Sequence, residues 1–154
     1  MTVSVRNGQR TAPVNLARMT RLARCAVRRL HLCSRGTLAI TFIDDRRMRS
    51  LNRTFLRHDR TTDVLSFRYD GEPVAGDILI SPLAARAYAR ANGVAYAEEL
   101  ARYVVHGVLH WAGHDDKTPA QQRKMRAMED QLLVWCRRRL VPAKKWDISI
   151  FASG

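Results

Sequence analysis

The chain has 154 residues, of which 46% are hydrophobic and 27% are charged, and this balance is typical of a folded domain and excludes a disordered chain. A chain of this length fits one domain, residues 1–154, and can bury about 70% of its extended-chain surface. Because no apolar run approaches the roughly 18 residues that span a bilayer, we expect no membrane segment.

The charge balance is strongly basic. Lys and Arg number 27 against 14 Asp and Glu, which gives a net charge of +13. Such an excess favours a polyanionic partner, since phosphate binding releases counterions. Composition alone does not distinguish nucleic acid from an anionic membrane, and a general role in solubility is the alternative.

The cysteines indicate a reducing compartment. Cys25, Cys33 and Cys136 form no Cys-x-x-Cys pair, and the N-terminus lacks the apolar core of a secretory signal. An odd number of cysteines without such a signal predicts reduced thiols and a cytoplasmic location.

The first third of the chain is predicted to form a strand, a helix and a second strand. Residues 2–6 alternate as a short strand does, and Pro13 is predicted to open a helix that runs to about Cys33. Residues 37–43 then read as a buried strand. One face of the helix is basic and is either a solvated surface or a surface that faces RNA or the ribosome; it carries Arg18, Arg21, Arg24 and Arg28.

The middle of the chain is predicted to contain a short helix, two strands and a further helix. Asp44 is expected to cap a helix over about 45–53. Strands are predicted over 62–69 and 75–80, and we expect the second of them to pair with a neighbouring strand. Ser81 and Pro82 are typical of a helix start, and Gly93 is typical of its end.

Two long helices complete the prediction. The first runs from about residue 95 to 112, and a capping box from Thr118 to Gln121 begins the second, which continues to about 139. The resulting order, β-α-β-α-β-β-α-α-α, predicts an α/β (α+β) fold in which a small mixed four-stranded sheet packs with about five helices.

The most informative stretch lies at the end of the first of these helices and reads His106-Gly-Val-Leu-His110-Trp-Ala-Gly113-His114-Asp115-Asp116. Histidines four apart on a helix differ by about 40° around the axis and about 6 Å along it, so both imidazoles can bind one metal ion. A glycine that ends the helix lets the chain turn back, and His114, Asp115 or Asp116 can then supply a third ligand. Three protein ligands and an open position are typical of a catalytic zinc site. We favour this interpretation over two histidines that merely pack on a buried helix.

The same spacing, His-x-x-x-His-x-x-Gly-x-x-Asp, matches the long-spacer zinc peptidases. Those enzymes carry a Glu directly after the first His as the base that activates water. Gly107 occupies that position here, so a peptidase would lack its general base.

The segment also resembles the YbeY signature His-Gly-x-Leu-His-x-x-Gly-Tyr-Asp-His. A second similar segment covers residues 51–67 and reads Leu-Asn-Arg-Thr-Phe-Leu-Arg-His-Asp-Arg-Thr-Thr-Asp-Val-Leu-Ser-Phe, and residues 76–80 and the pair Met125 and Glu129 also agree. The resemblance implies a zincin-like fold and a metal-dependent endoribonuclease that cuts single-stranded RNA. In zincin-like folds an edge strand lines the substrate cleft, so we expect residues 75–80 to be an edge strand that borders the active site. It further implies a role in ribosomal RNA maturation, including the 3′ end of 16S rRNA, and in ribosome quality control.

Two positions depart from the family pattern. The third metal-binding His of the family falls on Asp116 and its Tyr on His114, so Asp116 is the implied third ligand and His114 is the alternative. An aspartate oxygen is a harder donor that adds negative charge, which leaves the preferred metal open. Many family members have an arginine associated with activity where this chain has Leu56, and the adjacent Arg57 is a candidate to replace it.

These residues define the predicted site. The catalytic candidates are Arg57, His106 and His110, and one Zn²⁺, or another divalent ion, is expected on His106, His110 and Asp116. Arg57 or Lys117 is the candidate to stabilise charge on the phosphate. The predicted RNA-binding residues are Arg57, Lys117, Arg18, Arg21 and Arg28, and the expected partners are single-stranded RNA, an rRNA precursor and the small ribosomal subunit. The alternatives are a basic RNA- or ribosome-binding assembly factor with a structural metal, and a zinc metallopeptidase.

Overall fold

The structure is a computed structural model that describes residues 1–32, 35–56, 63–69, 71 and 73–140. The predicted order of elements is confirmed. The four strands are β1 (Thr2–Asn7), β2 (Gly36–Phe42), β3 (Val64–Tyr69) and β4 (Val74–Ile80). The five helices are α1 (Leu16–Arg29), α2 (Asp45–Leu56), α3 (Pro82–Asn92), α4 (Tyr96–Trp111) and α5 (Pro119–Leu140).

The strands form one mixed sheet in the order β1-β2-β4-β3. β2 is parallel to both β1 and β4, whereas β3 is antiparallel to β4. The prediction that residues 75–80 form an edge strand is therefore wrong, because β4 is hydrogen-bonded on both sides. β3 is the edge strand on that side of the sheet.

Helix α1 begins later than predicted. The Asn15 side chain accepts a hydrogen bond from the Arg18 backbone N–H at 3.1 Å, so Asn15 is the N-cap and Pro13 lies outside the helix. Residues Met19, Leu22, Ala23 and Ala26 of this helix are buried against the sheet and the neighbouring helices. The arginine-bearing face is left toward solvent.

The two faces of the sheet are covered unequally. In the large core cluster, side chains from one face of β2 and β4 pack against those of α1, α4 and α5. A small cluster of Ile43, Met48 and Leu65 places α2 on the other face. No helix in the described ranges has the length and apolar character needed to cross a membrane.

Helix α4 lies at the centre of this arrangement because Gly107 lets it approach the sheet closely. A Cβ atom at this position would lie 2.6 Å from Ile78 Cγ2 and 3.1 Å from Val64 Cγ1. The Ser66 hydroxyl donates to the Gly107 carbonyl at 3.0 Å. These contacts hold the C-terminal half of α4, which carries the predicted metal ligands, against β3 and β4.

Candidate metal centre

Helix α4 carries both predicted histidines on one side, near its C-terminal end. The ring centroids of His106 and His110 lie 4.5 Å apart, and the ring planes are inclined by 75°. Each side chain is 25% exposed, so solvent and a ligand can reach both rings. The four-residue spacing on a regular helix accounts for this placement.

The chain turns back after α4 through a Schellman motif. The N–H of His114 donates to the Leu109 carbonyl at 3.1 Å, and the N–H of Gly113 donates to the His110 carbonyl at 2.9 Å. Gly113 has φ of 105°, a conformation that side chains rarely adopt. This reversal returns the following residues toward the histidine rings.

Asp116 is the residue that the turn brings to the two imidazoles. One of its carboxylate oxygens lies 3.3 Å from His110 Nε2, and the other lies 3.6 Å from His106 Nε2. Ligand atoms at about 2.1 Å from a tetrahedral zinc ion are roughly 3.4 Å apart. With a single oxygen taken from Asp116, the three ligand atoms lie within 4.8 Å of one another, so a small side-chain adjustment brings them to the spacing of a zinc site.

Neither His114 nor Asp115 joins this group. Among the residues that the structure describes, the His, Cys, Asp and Glu donors close enough for one ion are those of His106, His110 and Asp116, and their ligand atoms lie within 4.8 Å of one another. The geometry thus favours Asp116 over His114 as third ligand.

Glu129 of α5 makes a contact that the spacing argument does not identify. It is 4% exposed, and its Oε2 lies 2.7 Å from His106 Nδ1. The Arg102 guanidinium donates to Glu129 Oε1 at 3.0 Å and to Asp130 Oδ1 at 2.7 Å. An ionised carboxylate only accepts hydrogen bonds, so it places the ring hydrogen on Nδ1 and leaves Nε2, which faces Asp116, free to bind a metal.

The histidines face an open cleft of about 460 Å³, a volume within the range of small-molecule sites. Helix α4 forms its floor, with lining residues at Glu99, Arg102, Tyr103, His106 and His110. Because each helical residue advances about 1.5 Å, this lined face is about 16 Å long. Tyr88 comes from α3, and four further lining residues, Gln122, Met125, Arg126 and Glu129, come from α5.

Two ionisable groups on the floor have perturbed acidity. Glu99 is only 6% exposed, and burial raises the pKa of its carboxyl against the opposing effect of Arg102. Burial, followed by the charges of Asp63 and Glu99, also raises the pKa of the Tyr103 hydroxyl. The Tyr103 hydroxyl therefore keeps its proton at neutral pH and hydrogen-bonds to the Asp63 carboxylate.

A sequence model of the family described as Endoribonuclease YbeY matches residues 4–136 of the chain. The chain belongs to the YbeY family. Among relatives named Endoribonuclease YbeY, one from Myxococcus xanthus is 38% identical over 140 residues, which cover 86% of this chain and 47% of the relative. One from Flavobacterium psychrophilum is 42% identical over 101 residues, which cover 65% of this chain and 72% of the relative.

The chain thus spans less than half the length of the Myxococcus relative and about three quarters of the Flavobacterium relative. The fold is also similar to the solution structure of a Thermotoga maritima protein. That likeness has a TM-score of 0.59 at 20% identity and covers 90% of this chain and 94% of the other. It bears on the fold alone.

The YbeY assignment agrees with the packing of Gly107. This residue occupies the position of the general base in the long-spacer zinc peptidases, and the atoms nearest to its missing side chain are those of Ile78 and Val64. A Glu placed there would point into the sheet rather than into the cleft. The packing thus argues against the peptidase alternative.

The predicted RNA-binding arginines of α1 do not line the metal cleft. Arg18 is paired with Glu98 at 3.3 Å, whereas Arg21 and Arg28 are exposed. Lys117 is exposed as well, and the part of the chain that is described does not place it among the cleft residues. Arg57 lies outside the described residues.

Arg126 is a cleft cation that sequence reasoning missed. It is exposed and lines the cleft, and no carboxylate of a described residue lies within 4.0 Å of its guanidinium. Arg102, the other arginine of the lining, is held by Glu129 and Asp130. Arg126 is therefore available to a ligand, whereas Arg102 is committed to the protein. The sequence offers no signal that separates the two.

Proposed function

We propose that the chain is a metal-dependent endoribonuclease that cuts single-stranded RNA, with an rRNA precursor as substrate. The observation that carries this proposal is the group of His106, His110 and Asp116 at the floor of an open cleft, in a chain that belongs to the YbeY family. Maturation of the 16S rRNA 3′ end, ribosome quality control, association with the small subunit and a cytoplasmic location form part of the same proposal. They are supported by the family resemblance and by the net charge of +13.

His106, His110 and Asp116 are the proposed ligands of one Zn²⁺. When bound, zinc would lower the pKa of a water molecule and polarise a phosphoryl oxygen, which is the chemistry that phosphodiester hydrolysis requires. Glu129 holds the proton of His106 on Nδ1, and Arg102 fixes Glu129 in turn. This pair keeps the His106 ring in one tautomer and one orientation.

Arg126 is the proposed phosphate-binding cation in the cleft. Its planar guanidinium has no carboxylate partner among the described residues and can therefore bind two phosphate oxygens at once. Arg57 and Lys117 remain proposals for the same role, and Arg57 remains a proposed catalytic residue. On α1, the exposed Arg21 and Arg28 are the better candidates for RNA contacts outside the cleft, because the pairing of Arg18 with Glu98 competes with phosphate.

The second candidate is an assembly factor that binds RNA or the ribosome and uses its metal for structure. The three ligands among the described residues argue against it, since structural zinc sites are usually closed by four. The net charge of the chain suits either candidate.

Cleavage of a labelled single-stranded RNA by metal-loaded wild type, His110→Ala and His114→Ala tests the proposal. We expect wild type and His114→Ala to cut and His110→Ala not to cut. His114 is the matched control because it lies four residues further on and outside the metal group. Equal cutting by all three would refute the proposed site, and RNA binding without cutting by all three would favour the assembly factor.

A further inference from the structure

An aromatic side chain of α3 stands exposed on the wall of the cleft. Tyr88 is 43% exposed and lines the same cavity as His106 and His110. Within the described part of the chain, its side chain makes no hydrogen bond or ring contact. Its ring is therefore available to a ligand in the cleft.

The surroundings of Tyr88 suit an uncharged nucleobase better than a phosphate. Tyr88, Asp63, Glu99 and Tyr103 all line the same cleft. The two carboxylates repel a phosphodiester, whereas carboxylate and hydroxyl oxygens accept hydrogen bonds from the amino groups of bases. A tyrosine ring adds a surface on which a base can stack.

This cluster also lies beside the metal group. Tyr103 precedes His106 by three residues on the same helix, which is about 4.5 Å along the axis. A base held between Tyr88 and the floor at Tyr103 would belong to a nucleotide close to the phosphate at the metal group.

We propose that Tyr88, with Tyr103, Asp63 and Glu99 beneath it, forms a subsite that binds one unpaired nucleobase of the RNA next to the cleavage position. This inference rests on the proposed endoribonuclease function. In a duplex both faces of each base are covered by stacked neighbours, so only an unpaired base can stack on Tyr88. The subsite thereby gives the enzyme a preference for single strands, and among pyrimidines it favours cytosine, which carries an amino group, over uracil.

Steady-state cleavage of a labelled single-stranded RNA by metal-loaded wild type, Tyr88→Ala and Tyr88→Phe tests the subsite. Loss of one base–aromatic stack should raise the KM of Tyr88→Ala roughly 5- to 150-fold, with kcat nearly unchanged. Tyr88→Phe keeps the ring and should stay within about twofold of wild type. Tyr69→Ala is the matched control, since Tyr69 is 50% exposed and is not among the described residues that line the cleft.

Substrates with a single abasic nucleotide identify the contacted base. Wild type should lose affinity sharply when the abasic nucleotide occupies one position beside the cleavage site. Tyr88→Ala should lose much less affinity at that position, because the variant already lacks the stacking contact and only the contacts with the floor remain to be lost. Thermal unfolding of each variant confirms that the fold is intact.

The outcomes separate this subsite from the proposed function. A wild-type KM for Tyr88→Ala, or equal sensitivity of both proteins to every abasic position, would overturn the subsite and leave the endoribonuclease proposal standing. If wild type does not cut, the proposed function fails. Fluorescence anisotropy of the same strand with metal-loaded wild type and Tyr88→Ala then decides the subsite, and equal Kd values overturn it.

Discussion

Replacement of Glu129 by Gln tests the contact that orients His106. The carboxylate accepts hydrogen bonds from His106 Nδ1 at 2.7 Å and from Arg102 Nη1 at 3.0 Å. The two donors contact different oxygens of the carboxylate, whereas a Gln side chain has only one oxygen and carries an NH₂ donor in place of the other. If the amide nitrogen of Gln faces Arg102, two hydrogen-bond donors are opposed. If it faces His106 Nδ1, it donates to that nitrogen, and the ring hydrogen moves onto the metal-facing Nε2. Outer partners of metal-binding histidines are typically worth 10- to 100-fold in affinity, so we expect Glu129→Gln to weaken zinc binding by about 1.4–2.7 kcal/mol.

Competition against a chromophoric chelator at fixed pH measures this change. Asp130→Asn is the matched control, because it removes the other carboxylate partner of Arg102 on a side chain that is 56% exposed. An exposed ion pair is worth under about 1 kcal/mol, so the control should change zinc affinity by less than about fivefold. Thermal unfolding of the metal-free proteins reports whether the fold survives. Zinc affinity of Glu129→Gln within twofold of wild type would refute the orienting role.

Three further predictions concern stability. Gly107→Val should lower the free energy of unfolding by at least about 1–3 kcal/mol in urea denaturation, because its Cβ would overlap Ile78 Cγ2. The control, Ala97→Val, lies on the exposed face of the same helix and should change the free energy of unfolding far less. Equal effects of the two substitutions would contradict the close approach of α4 to the sheet. Ser81→Ala should lower the free energy of unfolding by about 1–2 kcal/mol, because Ser81 Oγ caps α3. Ser81→Thr retains the capping hydroxyl and is the control. An unchanged free energy of unfolding for Ser81→Ala would exclude the capping role. Glu99→Gln should be more stable than metal-free wild type at pH 7, because burial raises the folded-state pKa of Glu99 above the usual 4.5 and the charged carboxylate is then disfavoured. The loss of wild-type stability caused by the charged Glu99 develops as pH rises through the folded-state pKa and is absent below the unfolded-state pKa. The free energies of unfolding of the two proteins should therefore converge at low pH. A Glu99→Gln protein that is less stable than wild type at pH 7 would contradict this prediction.

Those parts of the site that depend on a few consecutive residues could be predicted from the sequence. The two histidines lie one turn apart on a helix, and Gly113 ends that helix in the expected left-handed cap, so an eleven-residue stretch largely determines the positions of His106, His110 and Asp116. Capping signals are local in the same way. The predicted box at the start of α5 is present, with reciprocal hydrogen bonds of 3.1 Å between Thr118 and Gln121.

Features that depend on how distant elements pack could not be predicted. Glu129 reaches His106 across 23 residues of sequence, and the contact follows from the crossing of α4 and α5, which helical periodicity does not specify. Strand order is equally non-local, since β4 lies between β2 and β3 because of its partners and not because of its own composition. The sequence does not distinguish Arg126 from Arg102. In the folded chain, Arg102 is paired with Glu129 and Asp130, whereas Arg126 has no carboxylate partner among the described residues and can bind a ligand.

The start of α1 illustrates a competition between two local signals. Pro13 and Asn15 are both favourable near a helix start. The Asn15 side chain satisfies a backbone N–H of the first turn, so the helix begins after Asn15. Local signals of this kind give the existence of a helix more reliably than its first residue.

The most direct measurement is the RNA cleavage rate of metal-free protein as zinc is added, with wild type and His110→Ala in parallel. If one ion held by His106, His110 and Asp116 carries the chemistry, the wild-type rate should rise in proportion to zinc, reach a plateau at one equivalent per chain, and remain at background in His110→Ala. Cleavage that is independent of zinc, or that is equal in the two proteins, would contradict a catalytic role for this site.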